Sequence, residues 1–424
     1  MPDSRPQPPR FPPPPSVPAD AATLLLCGAR LTDGRTVDVR LGCGRIEAVG
    51  TPGSLATGAV GARVDLRGYL LLPAPAEPHA HCDTALSADG TGDAGGSGGA
   101  GPQAPHPEEV QRRATEAALL QLGHGATALR SHVRIGDVPG LDALAAVLRA
   151  RRSLCGLAEL TAVAMPGALT GLAGADGLAM LRDAVKMGAT VVGGCPDADP
   201  DPTGYVEAVL EIASEFGCPV DLHTDARDPV RLSRLAAMAG GLRQGVTLGP
   251  CGGLGRLPAG TAARVADRFA AAQVTVVCLP QGVCGAVGRR GTAPVRLLRS
   301  AGVRVAAGSG ALRDPANPVG RGDPLEAAYL LASRYGVSAE DAYDMVTASA
   351  RAALGLPEVR VEAGFPAELL AVRADGLAGA LSLAYSRVVI HRGRLVARTS
   401  AVREYCDSAA VALELPRQGR ADPS

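Results

Sequence analysis

The chain has 424 residues, of which 46% are hydrophobic, 3% are aromatic and 20% are charged. Its 42 Lys and Arg residues balance 42 Asp and Glu residues, so the basic surplus typical of nucleic-acid-binding proteins is missing. No window is apolar for long enough to predict a membrane span. The composition therefore favours a large globular protein whose core is rich in Ala, Val and Leu, without nucleic-acid or membrane partners.

The N-terminal segment MPDSRPQPPRFPPPPSVPAD is rich in proline and predicts a disordered tail over residues 1–21. Its PPPP run could alternatively dock in an SH3-like groove. Because the segment has no apolar signal core, we expect a cytoplasmic protein. In that reducing compartment the ten cysteines, which form no C-x-x-C pair, are expected to be buried thiols and not disulfides.

Residues 22–67 contain short apolar segments separated by Gly and Asp-Gly turns, which predicts β-strands joined as hairpins. The segments are TLLLCGARL, TVDVRLG, RIEAVG and ARVDLRG. Similar segments return over residues 361–400, as AELLAVRA, SRVVIHRG and RLVARTS. We therefore expect a small β-sandwich domain built from both termini, followed by a C-terminal tail over 401–424.

Between residues 68 and 360, apolar segments alternate with amphipathic stretches, and most strands recur about every 30 residues. Strand–helix units of this number are typical of an α/β fold with a TIM-type (β/α)8 barrel. An open doubly wound sheet is the alternative, although it accounts less well for the flanking strands. The Gly-rich segment 87–101 has no G-K-[ST] ending, so we expect a flexible loop over the barrel mouth and not a phosphate loop. The predicted barrel strands are 69–76, 126–132, 160–166, 190–196, 218–224, 245–250, 274–280 and 303–309.

Three histidines lie where predicted barrel strands end, which is where barrel enzymes place their active sites. His79 and His81 are two residues apart, so both imidazoles project from the same side of the first strand. His223 closes the fifth strand. Imidazole nitrogens suit Zn or Fe, and three of them leave a position open for water. We therefore predict one divalent metal ion on these three histidines and a small-molecule substrate or ligand.

The order of H-x-H after the first strand and His after the fifth resembles the amidohydrolase superfamily, most closely its cytosine deaminase-like branch. The resemblance runs through LLPAPAEPHAHCDT, ATALRSHVRIGD, VDLHTDARD and RDPANPVGRGDP and covers most of residues 22–398. It implies a distorted (β/α)8 barrel with a small β-sandwich built from both termini. It also implies that metal-activated water hydrolyses a non-peptide C–N bond of a small heterocycle or cyclic amide.

The resemblance also implies a substrate pocket, which we assign to His132, Gly167 and Asp225. Arg130 and His132 match the R-x-H motif of the family's second strand. Gly167 stands where the family has a glutamine that grips an amide-bearing ring. Asp225 lies two residues beyond His223 and could face the barrel mouth.

Several catalytic positions of the family are substituted in this chain, so no catalytic residue is assigned. Loss of one contact to a transition-state oxyanion typically costs ~10²–10³ in rate, and loss of an acid–base partner ~10²–10⁴. Ala226 replaces the proton-transferring glutamate, Pro250 the strand-six histidine, and Gly310 and Ala311 the strand-eight aspartate and its neighbour.

Two hypotheses about function follow from these substitutions. In the first, the chain is a metal-dependent C–N hydrolase in which Asp225, Asp314, Cys251 or Cys278 replaces a lost group. In the second, it is a catalytically silent protein of the same fold that binds a ligand or a partner subunit. Alanine-rich helix faces also allow a homo-oligomer.

Overall fold

The computed structural model describes residues 23–55, 61–88, 106–136, 138–282, 292–383 and 386–401. These residues form two eight-stranded sheets, which we call the terminal sheet and the barrel, together with eleven α-helices. The predicted tails and nearly all of the Gly-rich segment lie outside the described residues. Within the described ranges, no helix is long and apolar enough to cross a membrane.

The strands are β1 (Leu24–Arg30), β2 (Thr36–Gly42), β3 (Arg45–Gly50), β4 (Ala62–Asp65), β5 (Tyr69–Pro73), β6 (Ala76–Ala80), β7 (Ala128–Arg134), β8 (Glu159–Met165), β9 (Val191–Gly194), β10 (Val220–Thr224), β11 (Val246–Pro250), β12 (Thr275–Cys278), β13 (Arg304–Ala307), β14 (Leu369–Arg373), β15 (Arg387–His391) and β16 (Arg394–Thr399). The helices are α1 (Pro107–Gly123), α2 (Val138–Ser153), α3 (Gly174–Met187), α4 (Pro202–Phe216), α5 (Pro229–Ala239), α6 (Ala259–Ala271), α7 (Val295–Ser300), α8 (Pro324–Arg334), α9 (Ala339–Val346), α10 (Ala348–Ala353) and α11 (Leu377–Leu383).

The terminal sheet joins strands from both ends of the chain in the order β16-β15-β14-β5-β1-β2-β3, with β4 also paired to β1. Strand β5 pairs antiparallel with β14, from Leu370 opposite Leu72 to Arg373 opposite Tyr69. This pairing connects the N-terminal strands to the C-terminal ones. The predicted assembly of one β-structure from both termini is therefore confirmed.

Alternate residues of the terminal sheet face two different cores. Leu71 and Leu369 pack into the sheet's own apolar core together with Leu26. Their neighbours Leu70 and Leu370 pack instead with the helices and strands of the barrel. Because side chains alternate across a strand, β5 and β14 are buried on both faces and hold the sheet against the barrel.

The barrel strands lie in the order β13-β12-β11-β10-β9-β8-β7-β6, and all seven neighbouring pairs are parallel. The seam between β6 and β13 closes through Gly310, whose N–H donates to the carbonyl oxygen of His79 at 3.0 Å. Gly308 allows this close approach, because a Cβ there would lie 2.7 Å from the carboxylate of Glu77. The predicted (β/α)8 barrel is confirmed, and the doubly wound alternative is wrong.

One strand prediction is wrong, because residues 69–76 do not form the first barrel strand. Strand β5 (Tyr69–Pro73) belongs to the terminal sheet, and the first barrel strand is β6 (Ala76–Ala80). The two strands follow so closely that their apolar residues read as one run in the sequence.

The cysteines of the described residues are free thiols, as expected, but they are not all buried. Cys82 and Cys278 lie in the core, whereas Cys43 and Cys155 are exposed. Cys284 and Cys406 lie outside the described residues.

Candidate metal centre

Three barrel strands carry the same pattern, in which a charged residue precedes a histidine by two positions. Because residues i and i+2 of a strand point to the same side, each pair lies on one face of its strand, and all six side chains are buried. The pairs are Glu77 and His79 on β6, Arg130 and His132 on β7, and Asp221 and His223 on β10.

The histidines of these three strands meet inside the barrel. His79, His132 and His223 each offer a ring nitrogen, and the three nitrogens lie within 4.8 Å of one another. The ring of His79 is centred 4.2 Å from that of His132 and 4.3 Å from that of His223. His81 follows β6, and its Nε2 lies 3.2 Å from Nε2 of His223. We call these four residues the histidine cluster.

The histidine cluster has the donor chemistry and the spacing that a divalent metal requires. Two nitrogens on a tetrahedral zinc ion lie about 3.3 Å apart, since each Zn–N bond is about 2.0–2.1 Å. The 3.2 Å between His81 and His223 is close to that spacing. The residues present therefore fit a zinc or iron ion.

The electrostatics of the cluster also favour metal binding. Burial lowers the pKa of His79 well below its usual value, and the proximity of His132 and His223 lowers it further. Burial and His132 also lower the pKa values of His81 and His223. These imidazoles are therefore neutral at physiological pH, and a metal ion would not have to displace a proton from them.

A buried ion pair lies next to the cluster. Nη1 of Arg130 donates to Oδ2 of Asp221 at 2.9 Å, and the side chains are 2% and 0% exposed. The other oxygen of Asp221 lies 3.3 Å from Nε2 of His132. This contact lacks the geometry of a hydrogen bond. Burial would raise the pKa of Asp221, but His132 and Arg130 lower it below the usual value.

Glu77 lies at the seam between β6 and β13, next to His79. Its Oε1 accepts from the backbone N–H of His79 at 2.9 Å, and its Oε2 accepts from the backbone N–H of Ser309 at 2.9 Å and from the Ser309 hydroxyl. Burial raises the pKa of Glu77 to about 7, although these hydrogen bonds oppose the shift. Through these hydrogen bonds the carboxyl group holds β6 against the end of β13.

Comparison with known proteins identifies the family. A sequence model described as the amidohydrolase family matches residues 88–397, which is well over half of the chain. The chain belongs to the amidohydrolase family. The resemblance found in the sequence motifs is therefore confirmed.

Two curated relatives of this amidohydrolase are enzymes named for C–N chemistry. The chain is 30% identical over 240 residues to a pterin deaminase from Rhizobium rhizogenes, which covers 52% of this chain and 54% of the relative. It is 28% identical over 183 residues to an N-isopropylammelide isopropyl amidohydrolase from Pseudomonas sp. (strain ADP), covering 39% and 44%. The chain thus spans about half the length of the curated relatives it matches.

Solved structures match the fold over a greater length. The N-isopropylammelide isopropylaminohydrolase of Burkholderia multivorans superposes with a TM-score of 0.76 and 27% identity, covering 90% of this chain and 100% of that one. The 5-methylcytosine deaminase of Klebsiella pneumoniae gives the same TM-score and coverage at 24% identity. The latter similarity shows the fold alone.

The structure explains why strand β11 offers no ligand where the family has a histidine. Pro250, the last residue of β11, has no side-chain donor or acceptor. Gly249 lies beside the cluster, but a Cβ there would meet the carbonyl oxygen of Val277 at 2.9 Å and Nδ1 of His79 at 3.5 Å. A bulky side chain at 249 would therefore not fit without a shift of the backbone.

Gly310 stands where the family has its strand-eight aspartate. In this chain the role of the residue is in the backbone. It has φ +74, in the region that favours glycine, and its N–H closes the barrel seam. Ser309 directs its hydroxyl to Glu77 and not into the histidine group. In the described part of the chain, the end of β13 therefore contributes to the seam and supplies no carboxylate.

The four replacements considered from the sequence lie outside the three-histidine group of the described residues. Asp314 caps its own loop, with Oδ1 accepting from the N–H groups of Ala316 and Asn317. Cys251 and Cys278 lie in the apolar core, where burial raises the pKa of both thiols. Neither thiol is therefore disposed to become a thiolate ligand.

The predicted pocket residues lie in different surroundings. His132 is buried among the other histidines, with its ring centred 4.2 Å from that of His79. Asp225 is buried and paired with Arg227, and its Oδ1 has no hydrogen-bond partner. Gly167 is exposed after β8, where a Cβ would lie 3.5 Å from Cα of Gly136.

Sequence reasoning missed the roles of Glu77 and Asp221, which are buried beside the cluster. Their signal was present, because E-P-H, R-S-H and D-L-H repeat one spacing on three strands. A charged residue inside an otherwise apolar strand is expected to be paired or functional. The pattern alone could not show which charges would pair across the barrel.

Proposed function

We propose that this amidohydrolase binds one Zn or Fe ion and hydrolyses a non-peptide C–N bond of a small heterocycle or cyclic amide. The observation that carries the proposal is the group formed by His79, His132 and His223, whose nitrogens lie within 4.8 Å of one another. When bound, such an ion lowers the pKa of water so that hydroxide is available near neutral pH.

The proposed metal ligands are His79 and His223 with one further histidine. The sequence motif favours His81, and the 3.2 Å contact between its Nε2 and Nε2 of His223 supports that choice. The ring nitrogens of His79, His132 and His223 lie within 4.8 Å of one another, which favours His132 instead. In the first case His132, held beside Asp221, would face the substrate as the sequence predicts.

We assign proton transfer to Asp225, since the family's glutamate is replaced by Ala226. Asp225 lies two residues beyond His223, and its Oδ2 is held by Arg227. Its Oδ2 also lies 3.6 Å from Nη1 of Arg256, whereas its Oδ1 is buried without a hydrogen-bond partner, so Oδ1 is the oxygen that we assign to proton transfer.

The substrate class is proposed from the relatives' names. A pterin deaminase and an N-isopropylammelide isopropyl amidohydrolase both act on a nitrogen attached to a flat heterocycle. We therefore expect a flat, nitrogen-substituted ring to bind at the mouth, with its scissile C–N bond near the histidine cluster.

Metal analysis is the first experiment. We expect about one Zn or Fe ion per chain in the purified protein and none in the His79→Ala or His223→Ala variants. His81→Ala and His132→Ala identify the third ligand, since only the true ligand should abolish stoichiometric binding. His106→Ala is the matched control, because His106 is an exposed residue at the start of α1. A wild-type protein without metal after growth with Zn and Fe would overturn the proposal.

A second candidate is a protein that binds a ligand without turnover. The observation in its favour is that Pro250 and Gly310 occupy catalytic positions of the family. Steady-state assays with pterin, cytosine and N-isopropylammelide separate the candidates when the metal-loaded protein is compared with Asp225→Asn. Turnover that falls at least about 10²-fold in Asp225→Asn supports the hydrolase. Saturable binding without turnover supports the second candidate.

A further inference from the structure

A cavity lies at the end of the barrel opposite the histidine cluster. Its volume is about 470 Å³, and its walls include the first residues of β11, β12 and β13, Pro219 just before β10, and the segment that ends α10. A cavity of this size is within the range of about 300–1,000 Å³ that small-molecule sites occupy. The polar lining residues include Arg130, Arg243, Arg304, Thr247, Thr275 and Gln273.

The charges around this cavity have one sign. Three arginines contribute to its lining, and no Asp or Glu does. Asp221 neutralises Arg130 through their ion pair. For Arg243 and Arg304, the described residues include no carboxylate within 4 Å. The cavity therefore carries about two positive charges in excess, which matches a dianion.

Arg130 shows that the cavity is more than a group of solvated surface arginines. Its side chain is 2% exposed, and it forms part of the cavity lining. Nη1 is bonded to Asp221, but Nε is buried without a hydrogen-bond partner. A buried guanidinium N–H without an acceptor costs free energy, so an acceptor placed there would be favourable.

We propose that this cavity binds a small organic phosphate, with its dianionic phosphate group on the arginines. Guanidinium groups bind phosphate through two parallel N–H donors, a geometry that lysine does not offer. The buried side chains of Thr247 and Thr275 add hydroxyl donors. Leu242 and Leu354 provide apolar wall for the body of the ligand. The proposal does not depend on whether the histidine cluster holds metal.

Isothermal titration tests this proposal on the full chain, with inorganic phosphate and glycerol 3-phosphate as probes at fixed ionic strength. We expect saturable binding of both probes, at least about tenfold tighter than succinate. Arg304→Gln and Arg243→Gln should each weaken binding by at least about tenfold. Arg334→Gln should leave it unchanged, because Arg334 is exposed on α8 and is not part of the cavity lining.

A metal ion in the histidine cluster could also bind phosphate, so the titration is repeated with His79→Ala. Binding that persists in His79→Ala and is lost in Arg304→Gln supports the proposed site. Binding lost in His79→Ala and retained in Arg304→Gln would place the phosphate at the histidine cluster and overturn the proposal. Succinate binding as tight as phosphate binding would overturn the phosphate assignment.

Discussion

The apolar core of the terminal sheet is built from leucine, isoleucine, valine and alanine, and its buried Glu368 is paired with His391, whereas the inside of the barrel buries carboxylates, an arginine and four histidines together. Leu26 and Ile390 illustrate the first region, and Asp221 and Arg130 the second. Apolar burial stabilises a fold directly. A buried charge stabilises the fold only when it is paired. Even then, it often stabilises the fold less than an apolar residue of similar size would. Both regions bury charges in pairs, so the feature that sets the barrel interior apart is the histidine cluster.

The largest expected effect is the loss of one charge inside the barrel. Arg130→Met leaves Asp221 buried without its partner, so the free energy of unfolding should fall by about 3–5 kcal/mol. The double variant Arg130→Met/Asp221→Leu should recover most of this loss, as measured by urea unfolding. A neutral Arg130→Met variant would show that buried Asp221 does not need its partner.

The corresponding substitution in the terminal sheet is Leu26→Ala. Leu26 is fully buried in the apolar core of the sheet, so its truncation should lower the free energy of unfolding by roughly 3 kcal/mol. Metal content should not change, because the histidine cluster lies in the other region. A variant that folds but loses metal would mean that the two regions are coupled more closely than their cores indicate.

A smaller effect is expected at the contact between the two regions. Asp323, the N-cap of α8, accepts from Arg387 of β15 at 2.9 and 2.7 Å. Burial would raise the pKa of Asp323, but Arg387 lowers it below 3.8. The pair therefore stabilises the fold above about pH 4, and this contribution is lost as the pH falls through the lowered pKa.

Asp323→Asn should cost about 2 kcal/mol at pH 7, because an asparagine can still cap the helix but cannot form the ion pair. The difference in free energy of unfolding between wild type and variant should shrink as the pH is lowered from 5 to 3. Asp228→Asn is the matched control, because Asp228 is the N-cap of α5 and its side chain, 46% exposed, pairs with Arg231 at the surface. A difference that stays constant with pH would contradict the assignment.

The smallest effect is expected for Arg182→Met. This is the same arginine-to-methionine change as at Arg130, but it is made on the protein surface. Arg182 pairs with Glu215 at 3.0 Å, and the side chains are 35% and 45% exposed. Its loss should change the free energy of unfolding by at most about 0.5 kcal/mol, and less at high salt. A cost near that of Arg130→Met would show that burial does not decide the difference.

Much of the fold could be predicted from the sequence because its strands are short apolar segments separated by regular helices. Predictions failed where two strands follow each other without a polar break, as at β5 and β6. The helical patterns could not resolve this, since both strands precede α1. The partner of β5 is β14, and pairing over such a separation leaves no local signal.

The candidate site was predictable to the extent that it follows strand geometry. His79, His81 and His223 could be placed at one end of the barrel because strand order and residue alternation fix their positions. The proximity of His132 and the pairing of Asp221 with Arg130 depend on the barrel's closure and radius, which sequence spacing does not encode. The metal roles of these residues stay predictions.

The close succession of β5 and β6 has a consequence for synthesis of the chain on the ribosome. Strand β6 can join the barrel as soon as the later strands emerge, but β5 must wait for β14. Until translation reaches Leu369, β5 presents an open edge and an uncovered face at Leu71. Such edges recruit other strands, so the nascent chain presents an aggregation-prone edge from the synthesis of β5 until its final strands arrive.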